Sequence, residues 1–208
     1  MRKISENKTS SFYKKGDTIF YNGNRCTGLY AVYSGKVKLF KLGEQGKEQI
    51  VRFAKEGDLL GYRAMLAGEN YHATAQVIED SVICCVSKQH FLDVLRNNSD
   101  LSLNTIKMLA DNLKRSENAL VNIKQKNAQE RVAESLFILK EKFGLRSDNS
   151  TLDVELSRRE IGELAGLTTE TTIRTLAQLS DQGMIELIGK QISIKDKKAL
   201  LQLADLFD

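Results

Sequence analysis

Residues 156–183, LSRREIGELAGLTTETTIRTLAQLSDQG, leave the chain little choice of local fold: two short helices have to meet at a sharp turn. Ser157 and Glu160 have the spacing of a capping box, in which the hydroxyl takes the amide three residues on and the carboxylate reaches back to the cap amide. Ile161, Leu164 and Ala165 follow on one face, Gly166 stands where the chain turns without a Cβ penalty, and Leu167 fills the angle between the helices. Thr168 caps the second helix, Glu170 suits its positive dipole end, and Gly183 follows the last turn as a stop.

Thr172, Leu176 and Leu179 form the inward stripe of that second helix, which leaves Thr169, Glu170, Ile173, Arg174 and Ala177 outward. A solvated face has no need of an isoleucine between a glutamate and an arginine. A DNA major groove uses all three chemistries: Arg bidentate on guanine, Glu accepting from the cytosine amine, an aliphatic group against a thymine methyl. Downstream, Met184–Leu187 and Gln191–Ile194 read as short strands around Ile188, Gly189 and Lys190, a hairpin placed where a winged helix carries its wing.

Charge alone does not make this argument. Residues 152–195 hold five basic and seven acidic side chains, a net of −2, although the whole chain is +4. Binding therefore depends on where the basic groups point.

The stretch EIGELAGLTTETTIRTLAQLSDQGMIELIGKQISI resembles the DNA-binding domain of the Crp/Fnr transcription regulators. The resemblance implies that Glu170 and Arg174 read bases, with Thr169 and Ile173 at the two variable reading positions. It implies further that Arg158, Arg159, Thr171 and Lys190 touch backbone phosphates.

From Gly16 to Val86, short β-rich runs such as TIFY, LYAVY, KVKLF, EQIVRF and SVICCV alternate with glycine turns, which predicts a small antiparallel jelly roll. Residues 1–15 show no periodicity and read as a loosely held lead-in. The segments KKGDTIFYNGN, GLYAVYSGKVKLF and EGDLLG, with Tyr71–Val77, resemble the family's cyclic-nucleotide-binding roll. The ligand motif differs, however. Gly61 is kept, but Tyr62 stands where cyclic-AMP-binding members have a Glu for the ribose, and His72 and Ala73 stand near the Arg and Ser that grip the phosphate. A buried cyclic phosphate without a guanidinium is a poorly compensated anion. Arg63, next to Tyr62, is the candidate substitute, and Ser116 and Glu117 stand where a Thr-Ser pair would reach the base. The resemblance thus implies an effector pocket at these residues for an unidentified species other than cyclic AMP.

The family's iron-sulfur sensor needs an N-terminal cysteine cluster, and no Cys precedes Cys26. Cys84 and Cys85 are adjacent in a predicted strand, so their side chains point to opposite faces and read as small core residues. His72 offers an alternative, haem- or redox-sensing role. Two scattered histidines, His72 and His90, do not build the ligand cluster of a metal enzyme on a cupin-like roll, so neither an enzyme nor a metal site is expected. The tyrosines at 21, 30, 33, 62 and 71 give the roll a partly aromatic lining.

Leu103, Ile106, Ala110, Leu113, Glu117 and Leu120 recur at three- and four-residue steps, a narrow seam on a helix of about 25 residues that suits a parallel two-helix contact. Asn127 to Glu130 reads as a hinge, Arg131–Phe143 as the next helix, Leu152, Val154 and Leu156 as a strand, and Lys197–Phe207 as a closing helix. The expected chain is α+β in three parts: a sensor roll (1–98), a dimerisation helix (99–127) and a winged helix-turn-helix domain (128–208). The resemblance implies double-stranded DNA, a second copy of the chain, a small effector and RNA polymerase as partners, with an effector-independent DNA binder as the alternative. No apolar run of about 18 residues spans a membrane, no signal peptide follows the basic N-terminus, and three cysteines make no disulfide framework. The expected compartment is the cytoplasm.

Overall fold

A computed structural model describes residues 8–43 and 46–204, and of residues 8, 115 and 118–125 the backbone alone. The chain divides into two compact units, Met1–Arg115 and Ser116–Asp208.

The first unit begins with strands β1 (Lys8–Tyr13), β2 (Thr18–Phe20), β3 (Gly28–Ser34), β4 (Lys36–Leu42), β5 (Glu48–Lys55) and β6 (Leu59–Leu60). Helix α1 (Tyr62–Ala67) interrupts them before β7 (Thr74–Val77) and β8 (Ser81–Ser87), after which come α2 (Lys88–Arg96) and the long α3 (Ser99–Gln125). The strands form two antiparallel sheets, ordered β1-β8-β3-β6 and β2-β7-β4-β5. This is the jelly roll the glycine-spaced runs predicted. Part of the lead-in, by contrast, is a strand: KTSSFY lies on β8 in continuous register from Lys8↔Val86 to Tyr13↔Ser81. Its Ser and Thr content hid an edge strand whose stability comes from backbone pairing and not from an apolar face.

The interior of the roll is filled by its own side chains, among them Phe20, Leu29, Val37, Leu39, Leu60, Met65, Tyr71, Val77 and Ile83. Phe20 stacks on Tyr71 at 4.1 Å between ring centroids. Gly61 is required here twice over, since its φ is +78° and a Cβ would stand 2.9 Å from Tyr71 Cε1.

Helix α3 has two apolar faces. Met108 and Leu109 pack against the roll core, with Leu101, Thr105 and Asn112 half-buried beside them. Leu103, Ile106 and Leu113 are 56%, 60% and 61% exposed, and Ala110 between them is exposed too. Leu120 carries the same stripe onward in sequence, but its side chain lies outside the described residues.

The second unit contains α4 (Ala128–Phe143), α5 (Arg158–Ala165), α6 (Thr169–Asp181), β9 (Ile185–Ile188), β10 (Gln191–Ile194) and α7 (Lys197–Leu203). The proposed hinge is shorter than the sequence suggested. Asn127 caps α4 and Glu130 closes a capping box with it, so only Lys126 and Asn127 separate α3 from α4. Lys126 is tied down, 3.2 Å from Glu134 and donating to the Ala204 carbonyl at 2.6 Å. Leu152, Val154 and Leu156 are buried as their alternation predicts, yet only isolated bridges form, Leu145↔Leu152 and Thr151↔Ser193. The closing helix ends at Leu203, and Leu206 lies outside the described residues. Leu136, Leu176, Leu179 and Leu200 are fully buried at the centre, each contributing roughly 1.5–3 kcal/mol.

Candidate nucleic-acid interface

The turn between α5 and α6 is built from the signals its sequence carries. Ser157 and Glu160 form the capping box that starts α5, and Gly166 ends it at φ 66°, ψ 38°. The helices cross closely: a Cβ on Gly162 would stand 2.7 Å from Thr172 Oγ1 and 3.0 Å from the Leu167 carbonyl oxygen. Thr168 Oγ1 accepts from the Thr171 amide at 3.2 Å and so starts α6. Thr172, Leu176 and Leu179 are buried as expected, joined by Thr175.

Thr169, Glu170, Ile173, Arg174 and Ala177 are all exposed, with Ile173 52% so. Among the described residues Glu170 and Arg174 form no hydrogen bond or ion pair, although they stand four apart where such pairs form readily. A carboxylate, an aliphatic group and an open guanidinium are therefore presented together on one helix face, ahead of a hairpin wing. Strands β9 and β10 pair from Ile188↔Gln191 to Ile185↔Ile194, leaving Gly189 and an exposed Lys190 at the tip.

The residues expected to meet phosphates differ in their surroundings. Arg159 is exposed, and its Nε donates to Glu163 Oε1 at 2.6 Å. Glu163 is buried on the inner side of α5, a placement its charge did not suggest. Thr171 is half-buried and accepts from the Thr168 hydroxyl at 2.9 Å. Arg158 turns toward the wing, its Nη2 donating to the Gly189 carbonyl at 2.9 Å.

In the roll, the positions singled out for an effector differ in exposure, and Gly61 lies against Tyr71, the residue before His72. Tyr62 is buried, while Arg63, the next residue on α1, is exposed. His72 is exposed, with Nε2 2.6 Å from Glu69 Oε2, and Ala73 is half-buried. Ser116 and Glu117 are exposed. The guanidinium that reaches Tyr62 comes instead from Arg52 on β5. Arg52 Nη1 donates to the Tyr62 hydroxyl at 2.9 Å and Nη2 to the Leu59 carbonyl at 2.8 Å, and the same hydroxyl accepts from Asn112 Nδ2 at 2.9 Å. Arg52 is thus engaged by the protein's own groups.

The cysteines do not fit an iron-sulfur centre. Cys84 Sγ lies 3.3 Å from Ser10 Oγ, Cys85 points to the other face, and burial pushes the Cys85 thiol above its ordinary range. Among the described residues no group of three His, Cys, Asp or Glu side chains is arranged to hold a metal.

A β-roll followed by a long helix and a winged helix-turn-helix defines a DNA-binding transcription regulator, not an enzyme. Residues 11–98 match the cyclic nucleotide-binding domain and residues 130–203 the Crp-like helix-turn-helix domain. The chain is 33% identical over 193 residues to the fumarate and nitrate reduction regulatory protein of Escherichia coli strain K12, covering 92% of this chain and 76% of that one. It belongs to the Crp/Fnr family.

Among solved structures it is similar to FixK2 from Bradyrhizobium japonicum, with a TM-score of 0.84, 27% identity and coverage of 94% of this chain and 96% of that one. The c-di-GMP-responsive global regulator CLP of Xanthomonas campestris shares the fold at 17% identity, with a TM-score of 0.80 and coverage of 93% and 96%. Among the described residues no helix is long and apolar enough to cross a membrane.

Proposed function

We propose that two copies of the chain pair in parallel along the outer stripe of α3 and set two α6 helices on a pseudo-palindromic operator. The division that goes with this is a roll at 1–98, a dimerisation helix at 99–127 and a DNA-binding domain at 128–208. The observation that carries the reading is the second face of α3, where Leu103, Ile106 and Leu113 stay exposed although the opposite face already covers the roll. Two symmetric heads suit half-sites one helical turn apart, about 34 Å centre to centre. Arg174 pairs with guanine and Glu170 with the opposing cytosine, flanked by Thr169 and Ile173, while Arg159, Thr171 and Lys190 contact the DNA backbone and Arg158 serves that contact from beside the wing. Family membership supports RNA polymerase as a further partner and the cytoplasm as the compartment.

Gating by a small species other than cyclic AMP is the reading of the roll. The engaged Arg52, the buried Tyr62 and the surface position of His72 support the exclusion of cyclic AMP, and a haem role for His72 gains no support from its pairing with Glu69. One observation favours the second reading, effector-independent binding: the roll interior is filled by its own side chains, Phe20 and Tyr71 among them, and the Arg52–Tyr62–Asn112 bonds tie the roll to α3. Selection of random duplexes by anaerobically purified, ligand-free protein tests both. A pseudo-palindrome recovered without any added effector supports the effector-independent form. Recovery only after a cell extract is added supports gating, and recovery of a single unrepeated half-site overturns the dimer.

A further inference from the structure

Arg158 follows the Ser157 cap and opens α5, yet its side chain turns back on the wing, with Nη2 donating to the Gly189 carbonyl at 2.9 Å. The guanidinium is half-buried, and burial lowers its pKa from the ordinary arginine value. A group that only met phosphate would be expected to stay open to water, as the neighbouring Arg159 does. The wing itself is slight: β9 and β10 have four residues each, and the tip consists of Gly189, at φ +58°, and Lys190. A two-stranded ribbon of this length is marginal by itself, so side-chain ties decide where its tip stands. On the far side of the turn Gln191 Nε2 donates to Glu155 Oε1 at 3.0 Å, and Arg146 Nη2 donates to the same oxygen at 2.9 Å. Together, Arg158 and Glu155 hold the residues on either side of Lys190.

We infer that Arg158 is a wing-positioning residue, which fixes the Gly189 carbonyl so that Lys190 is presented to the DNA backbone in one place before DNA arrives. The inference rests on the reading of Lys190 as a phosphate contact. It assigns Arg158 an effect that passes through Lys190 and not through a phosphate of its own. A tip ordered in advance spares the ordering cost that a free one would meet on binding.

The test joins two readouts on the full-length chain. The heteronuclear NOE of the Gly189 and Lys190 amides is measured without DNA, and operator affinity is followed against salt, for Arg158→Ala, Lys190→Ala and the double variant. The slope of log affinity on log salt counts the phosphates neutralised. Arg158→Ala is expected to lower the NOE at 189 and 190 while leaving Ile185 and Ile194 unchanged. It should also lose the same slope as Lys190→Ala, and the double variant should lose no more. Arg158→Gln, which keeps a side-chain donor without the charge, is the second variant should alanine disturb folding: its slope loss is expected to follow its NOE loss. An unchanged NOE with a reduced slope in either Arg158 variant, or a double variant whose loss equals the sum of the singles, makes Arg158 an independent phosphate contact and overturns the inference. If Lys190→Ala alone leaves the slope unaltered, it is the DNA reading of Lys190 that fails, and the NOE still decides whether Arg158 holds the turn.

Discussion

The Tyr62 hydroxyl, at the start of α1, accepts a hydrogen bond from Asn112 Nδ2 on α3 at 2.9 Å. Arg52 donates to the same oxygen from β5 at 2.9 Å and lies over the Tyr62 ring at 5.2 Å. One phenol oxygen therefore joins a strand, a short helix and the long helix. Any movement of α1 inside the roll has to break a bond to α3 or carry α3 with it.

Tyr62→Phe removes the one oxygen to which Arg52 Nη1 and Asn112 Nδ2 both donate. A loss of about 1–3 kcal/mol is expected, the cost of removing such an acceptor. Urea unfolding of the variant beside Asn112→Ala and the double variant reads it, with a coupling of at least about 0.5 kcal/mol if the residues act as a pair. Additive losses across the cycle would show that the hydroxyl and the amide do not depend on each other.

The helix-turn-helix was legible because its signals are local. Ser157 and Glu160, Gly166, and Thr168 each act within a few residues of chain, and the structure bears out every one. Arg52 was not legible. It faces inward, opposite Leu39 and beside the Ala54–Val37 pair, but the register of β4 on β5 shifts between Leu39 and Phe40, so alternation cannot be counted through that point. The partners of Tyr62 lie 10 and 50 residues away, at a separation that periodicity does not report. The strand at Lys8–Tyr13 escaped for a related reason: its order comes from β8, which the sequence of β1 does not mention.

Arg174 is exposed and unengaged among the described residues, so Arg174→Ala should cost the fold within about 0.5 kcal/mol, as surface changes do. Its effect should appear on DNA, as a loss of about 1–3 kcal/mol and relaxed preference at one base position of each half-site. Glu170→Ala should relax the neighbouring position. Competition binding over single-base operator variants checks both; a uniform loss across all variants would make Arg174 a phosphate contact and not a reader.

Leu113 is 61% exposed in a single chain, so Leu113→Lys removes little that this chain buries. With Ile106→Lys beside it, two charges enter the proposed seam on each side and repel their copies across it. Sedimentation should show the double variant as a monomer with an unchanged helical signal, and its operator affinity should fall because two heads no longer bind as one. A variant that sediments with the wild type would place the dimer contact elsewhere.

Asp148 lies in the loop after α4 and accepts from the backbone amides of Ser150 at 3.0 Å and Thr151 at 2.9 Å, and from the Thr151 hydroxyl. Thr151 Oγ1 stands 2.6 Å from Ser193 Oγ on β10, so the carboxylate supports the base of the wing. Hydrogen bonds from the Thr151 side chain first, then from the two amides, hold its pKa well below the ordinary carboxylate range. A carboxylate with a depressed folded-state pKa stabilises the fold above its unfolded pKa, about 4, and that contribution is lost as pH falls from there through the folded value. Asp148→Asn keeps the shape but turns one acceptor into a donor toward Thr151, so its deficit should be full at neutral pH. Urea midpoints of the two proteins should differ by a constant amount from neutrality down to the ordinary carboxylate range and converge only in stronger acid. A gap that stays constant through the acid range would mean that the charge of Asp148 is not what these donors hold.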